Sequence, residues 1–155
     1  AKEIKFSYGE QTKLPPSSDS LFFDAEGMTI YKDSIWVFTK DRSTSPNGYS
    51  RIYKIPTTPG SYTVYKSEQA YIGKNGWLTD GVTAVDVYED RFYILTYNRY
   101  IIQEYKDGKF KTISTFEFNS ISQRESIVVL NKSAIFVADE KNPLTGKMKL
   151  YKVKP

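Results

Sequence analysis

Apolar and polar positions along this chain follow a short, strand-like rhythm that returns three times. The first occurrence is Asp24-Ala-Glu-Gly-Met-Thr-Ile-Tyr-Lys-Asp-Ser-Ile-Trp-Val-Phe-Thr-Lys40, the second runs from Gly81 to Tyr97, and the third from Arg124 to Glu140. Each shows a short apolar strand, a polar turn and a second apolar or aromatic strand. The turns fall at Lys32-Asp33-Ser34, Glu89-Asp90-Arg91 and Asn131-Lys132-Ser133. The second strands are expected at 34–40, 91–97 and 134–139, with Trp36, Tyr93 and Phe136 in equivalent places. These are spaced by roughly 40–60 positions, comparable with common propeller repeats. Third strands are expected at 50–55, 100–105 and 147–153. A fourth is expected at 61–66 and at 109–116, with Asp107-Gly108 as the hairpin turn before the latter.

Repeats of this kind predict an all-β, propeller-like fold of about three four-stranded blades in one domain, 1–155. The expected bounds are an N-terminal strand and linker at 1–21, then blades at 22–70, 71–118 and 119–155, the last lacking its fourth strand. The inner strands are continuously apolar and the outer ones charged and tyrosine-rich, as sheets stacked face to face require. Three blades are too few to close a ring. Completion to six is therefore expected, by a homodimer or by a separate N-terminal half of the same protein. In the homodimer, the strand Lys2-Glu-Ile-Lys-Phe-Ser-Tyr8 is expected to lack a partner in its own half-ring and to complete the other copy's last blade. An open or sandwich-like sheet stack stands as the alternative.

Composition narrows the chemistry. Apolar residues make up 39% and charged residues 26% of the 155 positions, a globular balance rather than a disordered one. There are 13 tyrosines, which suit half-exposed sheet faces. There is no cysteine and no histidine. Disulfides, thiolate chemistry and a Ser-His-Asp triad within this chain are thereby excluded. The net charge is +4, but the lysines are scattered and no arginine cluster exists, so a nucleic-acid partner is not expected. No apolar stretch approaches a membrane span. The opening Ala-Lys-Glu shows no signal peptide and suggests a processed chain, a trimmed one or a proteolytic fragment.

The recurring Glu-(Gly/Ser)-(Met/Ile) start, with strands such as Trp36-Val-Phe-Thr-Lys40 and Phe136-Val-Ala-Asp-Glu140, resembles bacterial six-bladed propellers of the secreted or lipoprotein type. The resemblance covers about half of such a propeller. It implies the propeller fold and an extracytoplasmic place, secreted, periplasmic or surface-attached, and no catalytic assignment.

Candidate site residues follow from the repeat. Asp24 and Glu26 begin the first inner strand, Asp80 precedes the second, and Arg124 and Glu125 begin the third. In a radial arrangement these starts converge on one mouth. Carboxylates gathered there would suit Ca²⁺ or Mg²⁺, with Glu26, Asp80 and Glu125 as ligands, although the fold requires no cofactor. The opposing expectation is that each carboxylate pairs with Arg42, Arg99 or Arg124 or accepts backbone N–H groups. Arg51 and Arg124 are ligand hooks or surface ion-pair partners. Trp77 and Tyr97 either stack on a ligand, a carbohydrate or a peptide, or serve the fold. The leading functional reading is a non-catalytic binding module. Its rivals are a carboxylate- or metal-dependent hydrolase at the central channel, and a structural fragment of a larger propeller protein.

Overall fold

A computed structural model describes residues 2–141, 146 and 148–153. Strands account for 57% of it and helix for 5%, arranged in four small sheets, none closed into a barrel. The first sheet orders β2 (Asp24–Tyr31), β3 (Ser34–Lys40), β4 (Tyr49–Pro56) and β6 (Lys66–Tyr71). The second orders β7 (Ala84–Tyr88), β8 (Arg91–Leu95), β9 (Arg99–Lys106) and β10 (Lys109–Glu117). The third holds β11 (Arg124–Asn131), β12 (Ala134–Asp139) and β13 (Leu150–Val153). All three are antiparallel meanders. A two-stranded parallel sheet pairs β1 (Ile4–Tyr8) with β5 (Gly60–Val64). The helical content is a 3₁₀ turn at Ser18–Ser20 and one turn, α1 (Trp77–Asp80).

The two-residue turns explain the sharp hairpins. Glu89 and Asp90 both take positive φ, 48° and 59°, as do Asp107 at 50° and Gly108 at 75°. That geometry matches the twist of the flanking strands. Asn131 accepts hydrogen bonds from the amide and hydroxyl of Ser133, so its side chain is spent on its own turn.

The sheets stack face to face, with β2 against β7 and β7 against β11. Between the first two lie Tyr31, Trp36, Phe38 and Ile52 on one side and Phe92 and Ile94 on the other. Between the second and third lie Tyr93, Leu95 and Tyr100 facing Ile127, Ile135 and Val137. Gly27 lets β2 approach β7 closely: a Cβ there would stand 2.7 Å from Val85 Cγ2.

Two expectations about the strands are corrected. The fourth strand of the first unit is not 61–66. Residues 60–64 leave that sheet and the more polar β6 takes its edge. Accordingly the N-terminal strand is not partnerless in its own chain. It lies parallel to β5 from Ile4 opposite Gly60 to Tyr8 opposite Val64, and Ile4 and Tyr8 pack near Tyr53 and Ile55. The third strand of the last unit is seen from Leu150, and Lys147 lies outside the described residues.

Candidate functional site

The starts of β2 and β11 lie at one end of the stack, where the ends of β3 and β8 meet them. Lys40 ends β3 and is wholly enclosed. An isolated ammonium in such a place is costly unless it is paired and hydrogen-bonded. Here it donates to Glu26 Oε1 at 3.1 Å and to the Tyr97 hydroxyl at 3.5 Å, and stands 4.7 Å from the centre of the Tyr97 ring. The Tyr97 hydroxyl in turn donates to Glu125 Oε1 at 3.1 Å. Burial, then the Glu125 hydrogen bond and the nearby charges of Glu125 and Glu26, push that phenol up to about 12.

Arg42 closes the group from outside. Its Nη2 donates to Glu26 Oε1 at 2.8 Å and its Nε to Asp24. Its backbone N–H donates to Leu21 O, which fixes the strand exit. The guanidinium lies 5.1 Å from the centre of the Trp77 ring, within cation–π range. Trp77 opens α1 directly after Gly76, whose φ is 88°. The structure thus brings together Asp24, Glu26, Tyr97, Glu125 and Trp77 from the sequence-derived set. It adds Lys40, and it sets Arg42 beside Asp24 and Glu26, the kind of pairing expected of that arginine.

Asp80 and Arg124 are taken up by the fold instead. Asp80 is buried, accepts from Arg99 Nη2 at 2.6 Å and from the Asn75 amide at 2.7 Å, and so anchors the loop before α1. Gly73 allows this, since a Cβ there would fall 2.2 Å from Asp80 Oδ2. Arg124 is buried and donates to the carbonyls of Tyr97 and Ser120, with its guanidinium 4.1 Å from the Phe118 ring centre. It is a staple between the second and third sheets. Arg51 stacks on Phe22 at 3.5 Å and borders a cleft of about 430 Å³ with Glu10, Lys13 and Phe23.

The pairing bears on the metal expectation. Glu26 holds Lys40 and Arg42, Asp80 holds Arg99, and Glu125 accepts from Tyr97. Among the described residues, no three Asp or Glu side chains gather as a metal ion would need. Glu26, Asp80 and Glu125 therefore do not form one ligand set. The cavity beside Trp77, bordered by Thr39 and Asp80, measures about 10 Å³, the scale of a single water.

Lys40 carries no local sequence signal, because it reads as the polar end of a strand. Its place is legible only from the register that sets Asp24 opposite it. Among the described residues no helix is long and apolar enough to cross a membrane. No protein-family model matches the chain, and no curated protein matches it.

Proposed function

We propose that the chain is a non-catalytic binding module of the propeller type, taking its ligand at the end where the inner strands start. The three meanders then serve as blades, with β2, β7 and β11 innermost. The observation that carries this reading is the enclosed Lys40, joined through Glu26, Tyr97 and Glu125 to two separate inner strands. A buried ion network of this kind costs desolvation and is weak evidence for stability alone. It does hold its outer members in a fixed arrangement.

Those outer members define the ligand. Arg42 and Asp24 are 39% and 41% exposed at their side chains, Trp77 is 40% exposed, and Glu125 is also exposed. A guanidinium, two carboxylates and an indole edge suit a peptide segment with charges of both signs. Peptide and glycan arrays, followed by calorimetry on any hit, test this. Trp77→Ala and Arg42→Ala should each weaken peptide binding about tenfold, or roughly 1.4 kcal/mol. Binding of glycans alone, or peptide binding untouched by both changes, overturns the reading.

A further inference from the structure

The two outer faces of the sheet stack are unlike ordinary solvent faces. On the third sheet, the side away from the core carries Val128, Leu130, Phe136, Ala138 and Leu150, with Ser126 and Lys152 among them. Val128, Leu130 and Leu150 are 46%, 62% and 71% exposed. An antiparallel sheet facing water normally alternates apolar with polar positions, and here the outer side of β11 is itself largely apolar. At the opposite end of the stack, β1 and β5 cover the first sheet near Tyr53 and Ile55, and leave Met28 and Ile30 on β2 bare at 68% and 65%.

The free strand edges match in the same way. Among the described residues, the first and second sheets have four strands and the third has three. Among the described residues, β13 has β12 on one edge and no partner on the other, and β1 has β5 on one edge and no partner on the other. Both are short, Leu150–Val153 and Ile4–Tyr8. An unpaired edge is a template for another strand.

Resting on the propeller-type reading, we infer that a second copy of this chain covers the third sheet, head to tail. The series of inner strands β2, β7, β11 then continues into β2 of the partner copy, with Val128 and Leu130 against the partner's Met28 and the partner's Ile30. The edge of β13 meets β1 of the partner, which gives the third sheet its fourth strand. What covers the face is specified by the chain itself, because each bare feature at one end has its complement at the other. The contact is heterologous, so it either closes or propagates. Two copies of three sheets make six, within the four to eight of closed propellers. Both junctions then form at once and the assembly stops at two. The strand Ile4–Tyr8 keeps its parallel partner within its own chain throughout and offers only its second edge.

Light scattering and sedimentation at micromolar concentration test the junction. The wild-type chain should run at twice the mass of one copy. The double variant Val128→Lys/Leu130→Lys and the double variant Met28→Glu/Ile30→Glu should each run as monomers with unchanged circular dichroism, since all four side chains are exposed. Mixed one to one, the two variants should reassemble, because one junction is then wild type and the other pairs lysines with glutamates. A wild-type monomer overturns the inference, as does a dimer that both double variants leave intact. Neither outcome touches the peptide-binding test at the mouth, so the two readings fail separately.

Discussion

At the scale of single residues, the enclosed Lys40 sets the clearest expectation. Glu26 is its carboxylate partner and Tyr97 its remaining hydrogen-bond acceptor. Glu26→Ala removes the counter-charge bonded to a buried ammonium and should cost about 3–5 kcal/mol in urea unfolding. Lys40→Met removes the charge itself and keeps the length of the side chain. Glu26 retains Arg42, so this change should cost less than half as much. Equal losses for the two variants would show that the network is not built around the lysine. The phenols give a second expectation. Burial, with Asp90 hydrogen-bonded to Tyr31, Tyr53 beside Tyr8 and Tyr93 beside Tyr100, raises Tyr31, Tyr8 and Tyr100 to about 12, and Tyr97 stands equally high. A phenol raised in the folded state keeps its proton there after the unfolded chain has lost it. Its stabilisation is complete below pH ~10 and is lost as pH rises toward ~12. Alkaline titration should therefore show tyrosinate absorbance from these four rings appearing together with unfolding in that window. Their ionisation well below pH 10 in a folded protein would contradict the burial.

At the scale of elements, legibility in the sequence follows burial. The strands Ser34–Lys40 and Ala134–Asp139 stand where the repeat puts them, because both lie mid-sheet and carry apolar residues on both faces. The hairpins beside them are marked by two-residue polar turns. The strand β6 is different. Lys66-Ser-Glu-Gln-Ala-Tyr71 lies at a sheet edge with Ala70 as its one buried residue, so it shows no hydrophobic alternation. The apolar Tyr62 and Val64 drew the fourth-strand assignment to β5 instead. The parallel pairing of β1 with β5 joins segments far apart in the chain and leaves no turn signal to read. At the site, the convergence of Asp24, Glu26 and Glu125 was legible from the repeat, whereas Asp80, expected with them, is held by Arg99 instead. Arg42 and Arg99 were legible as partners, but Lys40 was not, since it reaches Glu26 through sheet register.

At the scale of the molecule, the stack is close to one-dimensional, each sheet touching only its neighbours. The second sheet is covered on both faces, with Phe92 and Ile94 against the first and Tyr93 and Leu95 against the third. The β1–β5 ribbon has only two strands, which is marginal by itself. In the monomeric double variants, hydrogen–deuterium exchange should therefore be slowest in β8 and β9 and fastest in β1 and β5. Slower exchange in the ribbon than in β8 would mean that it is the nucleus of the structure and not its cover.

The parallel ribbon also has a consequence in time. A ribosome adding roughly 5–20 residues per second makes β1 wait on the order of 3–12 s before β5 has been synthesised. During that interval the hairpins β2–β3 and β3–β4 can close from neighbouring sequence alone. Ile4 and Tyr8 meanwhile have only the forming face of β3 and β4 to lie on, with no strand yet to pair with. The strand nearest the start of the described chain is thus among the later ones of its half to find its place, and its apolar side chains are open to chaperones for longer than any hairpin strand that follows it.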